Sequence, residues 1–307
     1  MEVVAKCHVA AARISGVTAD YFARRRILHG SMGATTTIWT DEISQIDVQL
    51  WNAFNKVPNV QWLLSGDFNQ FPALWNTFRG ATVHDQALEC SSFLLDLCGG
   101  NRVSLREGHR SCAELFDFYS SLIVGGQRCM QALPEALQGA RALCAWTGPA
   151  RNNLVISHRR RVALNRTLNR TFLPVDVQPV FVRAKPAKGQ LCAAQSMLLW
   201  NGIQLLGCCA SSARRGVKNN VLYQVTSLSE DSATLVPTEG ETTPIDLSLE
   251  QVAALTRLSF SRTYASCQGW QAEESLRLHD TTNKNFTMRH LFVAMSRARD
   301  FEHLAIS

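Results

Sequence analysis

Apolar residues recur along this chain in two alternating rhythms. Val3–Ala5 is a short apolar run, and Ala10–Ile14 begins a helix that Gly16 stops. Thr35–Thr40 is rich in β-branched residues and predicts a buried strand. Ile43, Ile46, Leu50, Phe54 and Val57 then recur at helical spacing, with Trp51 beside them. That pattern predicts an amphipathic helix over Glu42–Val57, ended by Pro58. Val60–Leu64 is the next strand. Strand, helix, strand is the rhythm of a parallel α/β sheet.

The rhythm returns in the second half. Arg102–Leu105 predicts a strand, and Ser111–Ile123 a helix with Leu115, Tyr119 and Leu122 on one face. Leu154–Ser157 reads as a strand and Val162–Leu173 as a helix. Between Met197 and Leu247 the chain breaks into short β-rich pieces with Gly and Asn turns, which predicts a small barrel-like insertion. Leu258–Ser261 returns to strand, Thr287–Arg299 to helix and His303–Ile306 to a closing strand. The expected architecture is two α/β cores, 1–102 and 103–307, with a β-rich insertion at about 197–250 in the second. No internal repeat interrupts this order.

Composition narrows the class. The 307 residues are 46% hydrophobic and 18% charged, which suits a packed core. No apolar run approaches the ~18 residues a membrane span needs. The N-terminus lacks a basic region followed by a long apolar block, so the chain reads as soluble and intracellular. Ten cysteines occur with no Cys-x-x-Cys pair, which favours free thiols over a zinc site or a disulfide framework. The net charge of +6 is unevenly placed: residues 151–218 carry twelve Lys or Arg against one acid, Asp176. Such an excess suits a polyanion, since each neutralised phosphate releases counterions. A solvated basic face is the alternative.

Two strand ends carry candidate chemistry. Ligands of open parallel sheets bind beyond the carboxyl ends of the strands. Asp41-Glu42 stand at one such end, where an Asp can hold Mg²⁺ through water and a Glu can orient and deprotonate an attacking water. Acids are also ordinary first-turn residues stabilised by the helix dipole. The next strand ends Ser65-Gly66-Asp67-Phe68-Asn69-Gln70-Phe71-Pro72. Gln70 could sense a γ-phosphate by hydrogen bonding, or the segment could be a plain Gly-Asp turn.

At this point the sequence resembles superfamily 1 helicases of the RecD-like and petite-integration-frequency kind. Asp41-Glu42 look like the second helicase motif, and Gly66–Pro72 like the third. Phe78–Ala81 follows in order. Leu105–Ser111 resembles the fourth motif, which makes Arg110 a γ-phosphate contact. Arg262–Gly269 aligns with a motif usually written Thr-x-His-Lys-Ser-Gln-Gly; Thr263, Gln268 and Gly269 match, while Ala265, Ser266 and Cys267 depart. Leu291–Asp300 resembles the sixth motif, with Arg297 held toward a cleft between the cores. Ala5–Ala19 resembles a DNA-contacting motif, with Cys7 where Thr is usual. Single motifs are weak evidence, but six in order are strong.

The resemblance implies two RecA-like P-loop NTPase cores, with an SH3-like β insertion in the second. It implies ATP and Mg²⁺ as cofactors, with Asp41, Glu42, Gln70, Arg110, Gly269 and Arg297 around the nucleotide. A planar, permanently charged guanidinium suits the spreading charge of a transferred phosphoryl group; a salt bridge to Asp300 or Glu107 is the ordinary alternative for either arginine. Single-stranded DNA and DNA junctions are the implied partners, with no membrane and a monomer as default. The DNA candidates are Cys7, His8, His158, Arg159, Arg214, Arg215, Lys218, Thr263, Gln268 and Trp270, the last as a stacking face worth ~1–3 kcal/mol per base. In a eukaryote the implied compartment is the nucleus or mitochondrion.

One element is absent from the 307 residues. A motor of this kind needs Gly-x-x-x-x-Gly-Lys-[Ser/Thr] to cradle phosphates, and no Gly-Lys dipeptide occurs. The resemblance puts that loop ahead of Ala5, so the first core is expected to be truncated. Two functions stay open: a 5′-to-3′ ATP-dependent DNA helicase, or a non-hydrolysing remnant that binds single-stranded nucleic acid. A thiol enzyme on Cys7-His8 or Cys267 is disfavoured, because sequence neighbours on a strand point apart.

Overall fold

A computed structural model describes residues 1–307 apart from 31–32, 75, 125–126, 129–131, 185–194, 209–215 and 241. The side chains of residues 12, 85, 86, 124, 127 and 128 also lie outside the description. The chain forms two compact units. The first is chiefly Met1–His109, to which Gln268–Trp270 returns; the second comprises Arg110–Val124, Arg128–Cys267 and Gln271–Ser307.

The first unit is built on four strands: β1 (Glu2–Ala5), β2 (Val17–Thr18), β3 (Thr37–Asp41) and β4 (Gln61–Leu64). Their order is β2-β1-β3-β4, and every pair is parallel. Helix α1 (His8–Arg13) and helix α2 (Ala19–Phe22) fill the first two crossovers, and a π-helical turn, Ala23–Ile27, follows α2. The helix expected over Glu42–Val57 is interrupted. A 3₁₀ turn at Ile43–Gln45 is followed by extended backbone at Ile46 and Asp47, and α3 spans Val48–Phe54. Asp47 is the cause. Its carboxylate accepts from the amides of Gln49 (3.1 Å) and Leu50 (3.0 Å), so α3 starts there, and it also takes Lys6 Nζ at 3.0 Å. The apolar spacing keeps its purpose: Ile43, Ile46, Leu50, Trp51 and Phe54 are all buried, with Phe22, Ile38 and Trp62 around them.

The second unit holds a parallel sheet of four strands, ordered Ser261–Thr263, Asn152–Val155, Leu276–Leu278 and Leu304–Ile306. The helix expected at Val162–Leu173 runs over His158–Thr171, and the one at Ser111–Ile123 over Ala113–Ser121, with Leu115, Tyr119 and Leu122 buried. The β-rich stretch is an antiparallel sheet of five strands, ordered Ile245–Ser248, Ser232–Pro237, Leu222–Leu228, Gln204–Gly207 and Thr256–Leu258. The single strand expected at Leu258–Ser261 is two strands, one in each sheet. Buried Asn165 holds this crossing: its amide donates to the carbonyls of Leu258 and Ser261 (both 3.2 Å), and its oxygen accepts the Ser261 amide at 2.8 Å.

Two further expectations fail. Arg102–Leu105 forms no strand, and Val103 and Leu105 are 85% and 94% exposed, so nothing packs on the run that patterned it as a strand. The last long helix is Met288–Met295, which leaves Arg297 in the turn after it rather than on it. Among the described residues no helix is long and apolar enough to cross a membrane. The described cysteines are free thiols.

Two histidines of the second unit are kept neutral. Burial, with Arg160 and Arg277 nearby, pushes His279 down to about 4, and burial beside Arg289 does the same to His290. Asn153 donates its amide to Ala150 and Phe260 carbonyls, so its oxygen accepts from His279 Nε2 at 2.9 Å. A folded-state value below the ordinary 6.5 means that these rings contribute stability above pH 6.5. That contribution is lost as pH falls toward 4. Two of the eight histidine rings should therefore stay unprotonated to about pH 4 in an NMR titration of the imidazole protons. The urea midpoint should fall over the same range. Eight ordinary titrations near pH 6.5 would contradict this environment.

Candidate functional site

In the first unit, register puts the candidate acids on one edge. Ala5 pairs with Thr18 on one side and Asp41 on the other, and Thr40 pairs with Leu64. The segments that leave β1, β2, β3 and β4 therefore emerge together at the carboxyl edge. This is where a parallel sheet presents ligand-binding loops.

Ser65 ties two of these segments into one. Its amide donates to Thr40 O (2.9 Å) and its carbonyl accepts Ile43 N (3.2 Å). Its hydroxyl accepts from Trp39 Nε1 at 2.9 Å and donates to Asp41 Oδ1 at 2.7 Å. One oxygen of Asp41 is thereby fixed in direction. Glu42 follows with φ 54° and ψ 45°, a left-handed conformation costing ~1–2 kcal/mol for a residue with a side chain. This kink turns the chain out of β3, and Gln45 Nε2 donates to Glu42 Oε2 at 3.1 Å. Gly66 is required by space: a Cβ there would sit 2.7 Å from Ile43 N.

The loop after Gly66 is internally braced. Asp67 accepts from the amide of Asn69 through its side chain (2.9 Å) and from that of Gln70 through its carbonyl (3.2 Å). Ala73 N donates to Ser44 O at 3.0 Å, closing the loop against the segment that follows Glu42. Gln70 Oε1 is buried and has no hydrogen-bond partner among the described residues. A buried acceptor left unmade is costly, and such atoms call for an explanation.

Gln268 and Gly269 arrive at the same loop from far along the chain. Gln268 is buried and donates Nε2 to Phe71 O at 2.9 Å, across 197 positions of sequence. Gly269 has φ +73°, and its hydrogen faces Cys7 Sγ and Ala10, which a Cβ would meet at 3.6 and 3.7 Å. Cys7 accepts the Ala10 amide at 3.5 Å; burial raises its thiol, against the lowering effect of that amide. His8 opens α1 beside it. Asp41, Glu42, Gln70, Gln268, Gly269 and Cys7 are therefore gathered by one sheet edge. Trp270, read as a stacking face, is 6% exposed, so a base would reach it only if the ring turned outward.

In the second unit the two candidate arginines are tied to each other's loops. Ser111 Oγ donates to Ala298 O (2.8 Å), and Cys112 N to Arg299 O (2.7 Å). Gln271 Nε2 holds Arg110 O at 3.1 Å, while Ala272 N holds Arg297 O at 2.9 Å. Arg110 is exposed, whereas Arg297 is 2% exposed and donates Nε to Val293 O (3.2 Å) and Nη2 to Ser296 Oγ (3.0 Å). Asp300 carries His303 at 2.7 Å. The turn after the helix, pinned by Ser296 and Ala272, positions this guanidinium.

The remaining candidates are spread over the second unit. His158 and Arg159 are exposed at the start of the helix His158–Thr171, which Ser157 caps, beyond the carboxyl end of Asn152–Val155. Thr263 is buried and bonded to Ser266 Oγ through its amide (3.1 Å) and hydroxyl (3.0 Å). Lys218 is exposed near the antiparallel sheet, its amide bonded to Tyr223 OH at 2.7 Å. Arg214 and Arg215 lie outside the described residues. Cys267 is buried, donates to Tyr264 O, and its thiol is pushed up to about 11 by burial. That environment suits packing and not nucleophilic attack.

The acids suit a magnesium ion only in one way. Among the described residues no group of three His, Cys, Asp or Glu converges to cage a metal. Mg²⁺ does not need such a cage, because it keeps its waters and takes one or two carboxylates plus substrate phosphates. Asp41, with one oxygen held by Ser65, fits that donor set. Ser65 itself escaped the sequence reading. Its only signal was its place between an apolar strand and a Gly-Asp turn.

No family profile matches the sequence, and no curated protein does. Solved structures match it closely in fold. A Pif1 helicase from Bacteroides in complex with ADP-AlF3 and ssDNA gives a TM-score of 0.62 at 15% identity, over 100% of this chain and 82% of that one. The Pif1 helicase from Candida albicans gives 0.61 at 16%, over 99% and 84%. A structure of two coordinating Pif1 helicases that unwind forked dsDNA gives 0.64 at 17%, over 99% and 81%. At these identities the likeness speaks for architecture alone: this chain has the RecA-like α/β fold of the Pif1 helicases.

Proposed function

We propose that this chain is the motor portion of an ATP-dependent DNA helicase moving 5′ to 3′ on a single strand. The observation that carries the reading is the meeting at one sheet edge of Asp41-Glu42, the Gly66–Pro72 loop and Gln268-Gly269, joined by Ser65 and by the Gln268–Phe71 bond. Each belongs to a different motif of the resemblance. The solved neighbours add that helicases of this fold have been captured with ADP-AlF3, with ADP-AlF4 and with ssDNA.

In this reading Asp41 holds Mg²⁺ through water. A bound magnesium ion supplies positive charge to the phosphate oxygens. Glu42 orients the attacking water and takes its proton. Gln70 reports the γ-phosphate to the nucleic-acid side through the loop that Gln268 also holds. Arg110 and Arg297 meet the charge of a transferred phosphoryl group. Cys7, His8, His158, Arg159, Arg214, Arg215, Lys218, Thr263 and Gln268 are the proposed contacts to the strand, with Trp270 as a base contact. DNA junctions are the substrates of the working motor.

A second reading has its own observation. With no Gly-Lys in these residues, the chain by itself is a single-strand-binding module without hydrolysis. The two readings share the DNA and differ in turnover.

Binding of a labelled single strand to the 307-residue chain should weaken steeply as salt rises, by ~0.7 in log affinity per log salt for each phosphate neutralised. Absent or salt-independent binding would remove both readings. When the chain is joined to a segment carrying a phosphate loop, Glu42→Gln should keep DNA affinity and lose at least a hundredfold in DNA-stimulated turnover, about the effect of one general base. Equal rates in the variant and its parent would take Glu42 out of catalysis.

A further inference from the structure

Base stacking needs an open ring, and Trp270 is buried. Among the described Phe, Tyr and Trp residues the most exposed is Phe181, at 64%. Tyr21 and Phe78 follow at 51% each, and Phe78 already has the guanidinium of Arg79 over its ring at 5.4 Å. Phe181 belongs to the second unit and lies inside the basic block 151–218. The motif reading gives it no role.

Its place in the fold explains the exposure. Val180–Val182 and Met197–Leu199 form a two-stranded antiparallel sheet, with Phe181 opposite Leu198. Val182, Met197 and Leu199 are buried in the core of the second unit. Side chains alternate across a strand, so the neighbours of Val182, Phe181 and Arg183, turn to the opposite face, and both are exposed. The ring and the guanidinium therefore share one solvent-facing side. Asn169 fixes the sheet from the helix His158–Thr171, holding Leu198 N at 2.8 Å and Leu198 O at 3.0 Å. Arg170, the next residue on that helix, is exposed as well. Acid enters from Asp176, in the segment that leads to the strand, and from Glu250, on the helix Leu249–Leu255 packed against it. The block as a whole stays strongly basic, with twelve Lys or Arg against Asp176.

We infer that Phe181 is a base-stacking platform for single-stranded nucleic acid, with Arg183 beside it as a phosphate contact. The inference deepens the function proposed above and rests on its claim that the chain binds a single strand. Residues two apart on a strand lie about 6.6 Å apart, within reach of the base and the phosphate of one nucleotide. An arginine fork matches phosphate oxygens in pairs. A phenylalanine ring accepts any base, since every base has a π face. The platform adds affinity for unpaired bases without selecting their sequence.

The test is binding of a labelled forty-nucleotide oligothymidine, across a salt series, to the parent chain, Phe181→Ala, Phe181→Leu, Phe181→Tyr and Arg183→Ala. Both positions are exposed, so the variants should unfold at the parent's temperature. Phe181→Ala and Phe181→Leu should weaken binding about five- to a hundredfold, the span of one base stack, at an unchanged salt slope. Phe181→Tyr should keep the affinity. Arg183→Ala should make log affinity against log salt shallower by ~0.7, one single-strand phosphate. On the same backbone without bases, the parent and Phe181→Ala should bind alike. If Phe181→Ala or Phe181→Leu holds the oligothymidine as tightly as the parent, the platform is overturned and the proposed function stands. A parent that sediments as a dimer, with a monomeric Phe181→Ala of unchanged affinity, would overturn it too and assign the face to a second copy. If the parent itself shows no salt-dependent binding, the proposed function fails and this inference fails with it.

Discussion

The first unit depends on one serine at the end of a strand. Ser65 pairs its backbone with Thr40 and Ile43 and its hydroxyl with Trp39 and Asp41. Those four bonds lock the exit of β3 to the exit of β4. Without them Asp41 would be a carboxylate on a free turn, and Glu42 would have no reason to hold a left-handed backbone. The strain at Glu42 is held because the surroundings leave it no alternative. Gly66 completes the constraint, because any larger residue would displace Ile43 and with it the kink. Parallel register does the rest by bringing every strand exit to one rim.

The second unit solves a similar problem with different chemistry. Its helix His158–Thr171 buries Arg161, Asn165 and Asn169 on the face turned inward. Asn165 stands in for a missing strand partner where the chain leaves the antiparallel sheet for the parallel one, and Asn169 does so for Leu198, with bonds of 2.8 and 3.0 Å. Buried amides of this kind are favourable only when every donor and acceptor is met. The result is a fixed seam just before Thr263 and Cys267. The bonds of the Ser111 hydroxyl and the Cys112 amide to the carbonyls of Ala298 and Arg299 make the Arg110 and Arg297 segments one piece. In the function proposed above such rigidity would serve Arg110 and Arg297, since a charge offered to a phosphoryl group helps only if it does not have to reorganise.

Much of this was legible in the sequence wherever period and burial agree. Val60–Leu64, Ser111–Ile123 and Val162–Leu173 fold where their apolar spacing puts them, within a few residues. The spacing over Glu42–Val57 was right about burial and wrong about continuity, because Asp47 competes for the helix amides it would otherwise follow. Arg102–Leu105 has strand propensity but no partner, and propensity without a ladder makes no strand. Leu276–Leu278, a strand inside the second sheet, is three residues with an arginine at its middle, too short to show a period. The helix Leu249–Leu255 did have a signal, the Ser248 and Gln251 capping box. At the site, Asp41 and Gln70 could be named because acids and amides at strand ends are chemically conspicuous. Ser65 and Gly66 could not, since their roles lie in three-dimensional bonds and distances that sequence spacing does not encode.

The proposed function asks each unit to answer magnesium nucleotide through its own segments, the acid-bearing rim of the first and the paired arginine loops of the second. Hydrogen exchange read by mass spectrometry tests it most directly, on the chain joined to a segment carrying a phosphate loop, with single-stranded DNA and millimolar magnesium nucleotide. The account predicts slower exchange at once in 41–45, 65–70, 110–112 and 296–299. Protection of one set without the other, or of neither at saturating nucleotide, would contradict it.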